Sequence, residues 1–240
     1  MRLALQVVGW AIGLPLEILI IAALLRGGYR RFPFIFAYIV IDFVTTVVEM
    51  PTDFNYVRGG AEGSILYTFL YWIDEAVLQV LIYAVVISLI YGVTRHIRSR
   101  RAVRIVLIAG AVLIAGVSFL LHYSPTLNRG SYMTPWTRDL YFFSAVLDLL
   151  LWAMLIGSRS RDQQMLLLSG ALGIKFAGES IGGSVRQLAI HSRSHPLALT
   201  GSVIIVLANI SFSYVWWQAL RTRRSQESQK KGAAGSLDGS

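Results

Sequence analysis

"MLLLSGALGIKFAGESIGGSVRQL", residues 165–188, is long and apolar enough to cross a bilayer, yet it carries Lys175, Glu179 and Arg186. A helix of roughly 20 residues spans the hydrocarbon core. At intervals of four and seven residues, the three charged side chains share one helix face. The GESIG segment between them is a GxxxG step, which lets a second helix approach closely. The stretch therefore predicts a membrane-spanning helix with one polar, closely packed face.

The rest of the chain has the same apolar character. Its 240 residues are 55% hydrophobic and 15% charged, with a mean hydropathy of +0.59, whereas soluble domains are about one quarter charged. Seven apolar stretches reach spanning length, which predicts an all-α polytopic membrane protein with seven transmembrane helices. The predicted spans are 3–25, 33–50, 65–93, 103–122, 139–157, 164–188 and 197–219.

The basic residues predict how the chain is oriented. Fifteen Lys and Arg residues fall in one set of loops and the tail, and six fall in the opposite set. Because short basic loops are retained in the cytoplasm, we expect the N-terminus outside and the C-terminus in the cytoplasm, in the plasma membrane. The same asymmetry explains most of the net charge of +9. The lipid bilayer is thus the expected partner, and no nucleic acid is.

The composition changes near the C-terminus. Residues 225–240, "SQESQKKGAAGSLDGS", are polar and rich in Gly and Ser, with no apolar periodicity. Such a composition is typical of disorder. We therefore predict a transmembrane domain at 1–224 and a disordered cytoplasmic tail at 225–240.

Metal and thiol chemistry receive little support. The chain has no cysteine, which removes disulfides, thiolate ligands and cysteine nucleophiles. His191 and His195 have HxxxH spacing and His122 is expected on the same outer side, but Pro196 and the flanking Ser-Arg-Ser favour a loop there. We predict no metal site, no cofactor and no catalytic residue.

Charged residues inside the predicted spans are the main functional signal. Each costs about 2.5–3.5 kcal/mol at a helix centre on insertion scales, so it should face the bundle interior. With alternating helix directions, Asp42, Asp148 and Lys175 lie deepest, which predicts a polar cavity open to the outside. The predicted ligand-binding residues are Asp42, Glu49, Tyr71, Glu75, Gln79, Asp148, Lys175, Glu179, Arg186 and Asn209.

Two interpretations of these charges stay open. Lys175 and Glu179 are one turn apart, so they could simply neutralise each other. Seven carboxylates for one buried lysine favour a functional pocket instead. In the third span, Tyr71, Glu75 and Gln79 form one polar stripe.

Three classes of function follow from the sequence. The first is a receptor that binds or senses a small polar or zwitterionic ligand and signals through a cytoplasmic partner. The second is a proton- or cation-coupled transporter that uses intramembrane charges as a relay, with a homo-oligomer supplying the path. The third is an intramembrane enzyme acting on a lipid-linked substrate. We favour the first class and expect the protein not to be an enzyme.

Overall fold

The computed structural model describes residues 2–57, 61–93, 105, 109–110, 112–113, 116–118, 120–121, 129–157 and 163–237. Throughout these residues the protein is helical apart from short connections, so the all-α prediction is confirmed for this part of the chain. The long helices are α1 (Arg2–Ala23), α2 (Pro33–Val57), α3 (Ala61–Val93), α4 (Arg129–Gly157), α5 (Gln163–Ser192) and α6 (His195–Leu237).

Each of the six helices contains a segment long and apolar enough to cross a membrane. These segments agree with six of the seven predicted spans, and the protein is a multi-pass membrane protein on this ground. The fourth predicted span, 103–122, lies where only scattered residues are described, and those are helical. A seventh transmembrane helix therefore stays a prediction. The six segments are Leu5–Gly28, Pro33–Pro51, Asp74–Gly92, Asp139–Ile156, Gln163–Ala189 and His195–Arg221.

Helix α4 buries two polar side chains together with Leu140, Leu151 and Leu155, and it exposes several other large apolar side chains. Ser144 and Asp148 are 0% and 3% exposed, whereas Leu149 is 70% exposed. Soluble amphipathic helices have the opposite arrangement. Because lipid solvates leucine and penalises a carboxylate, this distribution fits a helix surrounded by lipid.

The chain divides into two compact units. The terminal unit comprises residues 1–31 and 155–240, and the central unit comprises residues 32–154. Helices α1, α5 and α6 therefore belong to the terminal unit. Helices α2 and α3, with α4 up to Met154, belong to the central unit, where α2 packs on α3.

Helices α5 and α6 form an antiparallel hairpin with a very short turn. Arg193 has a φ of 50°, and the Ser194 amide donates to the Ala189 carbonyl over 3.1 Å, which closes the end of α5. Pro196 lies in the first turn of α6, where a missing N–H costs nothing. The loop predicted from Ser-Arg-Ser and Pro196 is therefore present but very short: only Arg193 and Ser194 lie between the two helices.

Helix α1 continues through Pro15 without a break. One π-helical turn, Leu24–Gly28, follows it, and Gly27 in this turn has a φ of +126°. Side chains other than glycine rarely adopt that conformation. A glycine at this position therefore allows the chain to turn sharply at the end of the first membrane-spanning segment.

The last helix is longer than the sequence predicts. It extends to Leu237, beyond the end of its membrane-spanning segment at Arg221. The composition of residues 225–240 predicts disorder instead. The division into a domain at 1–224 and a tail at 225–240 stays a prediction.

Trp216 stabilises the α5–α6 hairpin. The sequence places it in an interfacial belt beside Trp217, but it is 0% exposed. Its indole Nε1–H donates to the Leu168 carbonyl over 3.1 Å, and its ring lies 4.3 Å from that of Phe212. Trp216 is therefore part of the packed hairpin, where a buried backbone acceptor satisfies its N–H.

Candidate functional site

Glycines bring α5 and α6 into backbone contact beside the charged residues. A Cβ added to Gly182 would lie 2.7 Å from the Gly201 carbonyl oxygen, and one added to Gly178 would collide with Ala208. Only small residues allow two helices to pack this closely. The sequence predicted the GxxxG step, and the structure identifies α6 as the helix that packs against it.

Three of the predicted residues meet at this crossing. The Lys175 Nζ donates to the Asn209 Oδ1 over 2.8 Å. The Asn209 Nδ2 in turn donates to the Glu179 Oε1 over 3.2 Å. The side-chain amide of α6 therefore bridges the lysine and the carboxylate of α5, and we call these three residues the bridged triad.

The bridged triad lies near the middle of its two membrane-spanning segments. Lys175 is next to the midpoint of the 27-residue segment Gln163–Ala189, and Asn209 is next to the midpoint of His195–Arg221. At about 1.5 Å of rise per residue, each lies roughly 18 Å from one end of its segment and roughly 21 Å from the other. The network is therefore deep, as the sequence predicts for Lys175.

Lys175 is held between a polar and an aromatic group. Its side chain is 9% exposed, and its Nζ lies 5.4 Å from the centre of the Phe212 ring. A cation over an aromatic face is stabilised by the ring quadrupole, more so where water is excluded. Sequence reasoning missed Phe212, although it lies three residues after Asn209 and so on the same face of the helix.

The triad leaves hydrogen-bonding capacity unused. A lysine ammonium has three donors, and in the described part of the chain the bond to Asn209 is its only hydrogen bond, with no ion pair to a carboxylate. Among the same residues, the second Glu179 oxygen accepts no hydrogen bond. A donor group and an acceptor group, one helical turn apart, therefore remain available to a third partner.

Arg186 lies away from the triad. It is seven residues after Glu179, or about 10 Å farther along the helix, and its side chain is exposed. A Cβ added to Gly201 would lie 2.7 Å from the Arg186 Cγ, so the arginine stem covers the crossing near its end. The structure does not bring Arg186 together with Lys175.

The other predicted residues belong to the central unit. Asp148 and Gln79 are 3% and 2% exposed, whereas Asp42, Glu49 and Glu75 are half-buried. Each of the four acids has interactions of its own. The side chain of Tyr71 lies outside the described residues.

Two features of the central unit were missed in the sequence. The Ser118 hydroxyl, in the fourth predicted span, donates to the Asp139 Oδ2 over 2.6 Å. Tyr83 continues the stripe of Glu75 and Gln79 at the same spacing of four and is 7% exposed. That spacing was the available signal for Tyr83.

The histidines stay apart from the triad. His191 lies in the last turn of α5, where its Nδ1 is 2.9 Å from the Gln187 carbonyl oxygen, and His195 begins α6. No group of three metal-ligating side chains occurs among the described residues. His122 lies outside them.

Known proteins offer no further guidance: no family model matches the chain, and neither a curated protein nor a solved structure is similar to it. The class of the protein therefore comes from its own fold. It is an all-helical, multi-pass membrane protein with a bridged Lys–Asn–Glu network at the centre of an α5–α6 hairpin.

Proposed function

We propose that the chain is a seven-helix protein of the plasma membrane that binds or senses a small polar ligand through the bridged triad. The N-terminus lies outside and the C-terminus in the cytoplasm, as the fifteen-to-six distribution of basic residues favours. The cavity opens to the outer side, because Glu179 precedes the outer end of α5 in that orientation.

One observation carries the proposal. Lys175 and Glu179 are spaced for a direct ion pair, yet the Lys175 amino group bonds to the neutral amide of Asn209. A pair that served only to cancel two charges would gain most from direct contact, because Coulomb attraction is strongest at short distance and low dielectric. The amide instead keeps the two charges apart.

The geometry favours a zwitterionic ligand. The unused donors of Lys175 suit a carboxylate, sulfonate or phosphate group, and the second oxygen of Glu179 suits an ammonium group. The two side chains are one turn apart, about 6 Å along the helix, which is comparable to the length of a small amino acid. Charge-assisted bonds at both ends would give orientation as well as affinity.

Transport is the second candidate. Ionisable residues deep in membrane helices also occur in ion and proton pathways, and Asp148 and Lys175 are both buried at such positions. A transporter would use such intramembrane charges to move a solute together with protons or cations. Binding without flux is expected of a sensor, and flux of a transporter.

A thermal-unfolding screen of the purified protein tests the binding proposal. The probes are glycine, β-alanine and taurine as zwitterions, acetate and ethylamine as single charges, and glycerol as a neutral polyol. A probe at 100 times its Kd stabilises the native state by about 2.7 kcal/mol. For a chain of this size that corresponds to a rise in Tm of about 5–10 °C.

The variants Lys175→Met and Glu179→Gln decide where a probe binds. We expect a zwitterion to raise the Tm of the parent and of Ser202→Ala, a matched control whose hydroxyl bonds within its own helix to the Ala198 carbonyl. Both triad variants should lose the shift. If no probe shifts the parent and both triad variants unfold much earlier, the triad is structural and the proposal is wrong.

Uptake of the stabilising probe into proteoliposomes then separates the two candidates. Accumulation that collapses in Lys175→Met supports transport. Binding in detergent without uptake supports sensing, and a search for a cytoplasmic partner would follow.

A further inference from the structure

The buried face of α3 contains a polar pair in an otherwise apolar stripe. Its buried residues follow one another at helical spacing, and most are aliphatic: Ile82, Val85, Val86, Leu89 and Ile90. Gln79 and Tyr83 belong to the same buried face, at 2% and 7% exposure. The pair lies within the membrane-spanning segment Asp74–Gly92.

Neither side chain of the pair is satisfied. The Nε2 and Oε1 atoms of Gln79 and the hydroxyl of Tyr83 are buried and have no hydrogen-bond partner among the described residues. Buried polar groups in proteins are almost always bonded. In a membrane the cost of an unmade bond is greatest, because lipid offers no alternative partner. Three unsatisfied atoms on adjacent turns therefore point to a missing partner.

We propose that Gln79 and Tyr83 form an internal site for one small, uncharged hydrogen-bonding molecule, either water or the hydroxyl or amide group of a neutral solute. Side chains four residues apart have Cβ atoms about 5–6 Å from each other, so one molecule can reach both. The pair offers a donor, an acceptor and a hydroxyl. These supply the roughly three hydrogen bonds that a buried water typically makes.

The chemistry of the pair determines which class of molecule fits. The amide and the phenol are both neutral, so the pair itself favours an uncharged molecule over a charged one. Exposure of 2% and 7% leaves too little surface for a second protein chain to contact. Gln79 and Tyr83 belong to the central unit, whereas the bridged triad belongs to the terminal unit.

A double-mutant cycle tests whether one molecule joins the two side chains. The variants are Gln79→Leu, Tyr83→Phe and their combination, with Tyr91→Phe as control, because Tyr91 is 39% exposed. If both side chains hold one molecule, either single change loses it. Each should lower the Tm by about 2–4 °C, and the double variant should lose little more than the larger single effect.

A rise in Tm on substitution, instead of a fall, would overturn the proposal. If the atoms are truly unsatisfied, each substitution removes a desolvated polar group and raises the Tm, and the two effects add. Simple addition of two losses would overturn it as well, since it would show no shared partner.

Two further measurements identify the molecule. Radiolytic labelling in ¹⁸O-water should oxidise Tyr83 despite its burial if water occupies the site. If a solute occupies it, ethylene glycol or acetamide should raise the Tm of the parent but not of the double variant. If the two substitutions are coupled but neither Tyr83 oxidation nor a solute-induced rise in Tm is seen, Gln79 and Tyr83 bond directly to each other. The proposed site would then be refuted.

Discussion

Replacing Asn209 by leucine tests whether the amide holds the bridged triad together. Leucine is similar in size and suits a membrane helix, so the change removes hydrogen bonding with little loss of packing. It deletes the 2.8 Å bond from Lys175 and the 3.2 Å bond to Glu179. Lys175 would then stay buried without its only hydrogen-bond acceptor among the described residues.

The expected cost follows from the two bonds. Hydrogen bonds between membrane helices average about 0.6 kcal/mol in double-mutant cycles, with a maximum near 1.7. Bonds to a charged partner are roughly twice as strong as neutral ones, which gives about 1.2 kcal/mol for each. We therefore expect Asn209→Leu to lower the free energy of unfolding by about 2–3 kcal/mol.

The coupling to Lys175 is the decisive quantity. In the Asn209→Leu background, Lys175→Met should cost about 1 kcal/mol less than in the parent, because the bond it would break is already absent. Steric-trapping or SDS-titration measurements on the parent, both single variants and the double variant give this value. Additive costs, within about 0.5 kcal/mol, would refute the bridge between Lys175 and Asn209.

Three other predictions concern packing and exposure. Gly182→Ala should destabilise the protein by about 1–3 kcal/mol through overpacking against α6. Gly183→Ala should not, because its added Cβ would meet nothing within 4 Å. Equal thermal midpoints for the two variants would contradict the close crossing of α5 and α6. Trp216→Phe should lower the free energy of unfolding by about 2 kcal/mol, because it removes a hydrogen bond and buried volume, and Trp217→Phe should lower it much less. Chemical unfolding measures both values, and the reverse order would contradict the buried position of Trp216. Leu149→Asp, at a position 70% exposed, should weaken membrane insertion by about 3 kcal/mol in a glycosylation-mapped assay, and unchanged insertion would mean that this face does not meet lipid.

Much of the triad is readable in the sequence. The local features are the spacing of Lys175 and Glu179, the glycines beside them and the polar face of the seventh span. They can be assigned to helix faces from the sequence, because a helix has one periodicity. Their pairing is not local. Whether Asn209 meets Lys175 depends on the register of α6 along α5, which the contacts at Gly182 and Gly201 set.

The two neighbouring tryptophans of α6 show the same limit of prediction from sequence. Trp216 and Trp217 are adjacent in the sequence and equally suited to a membrane interface. A rotation of about 100° between neighbouring helix positions places one against α5, where it reaches the Leu168 carbonyl. The other is half-buried beneath the Arg221 guanidinium, which lies 5.2 Å from its ring. Composition alone cannot choose between them, because only a packed neighbour distinguishes two faces of one helix.

The sequence by itself predicted the all-helical class and seven membrane-spanning segments, six of which agree with the described helices, because a run of apolar residues in lipid must satisfy its backbone internally as a helix. Tertiary structure alone decided that Asn209 separates Lys175 from Glu179, and that Gln79 and Tyr83 are buried with unmatched polar atoms. Hydropathy is a property of each segment and can be summed along the chain. Hydrogen-bond partners belong to pairs of atoms far apart in sequence, and only packed helices bring them within reach.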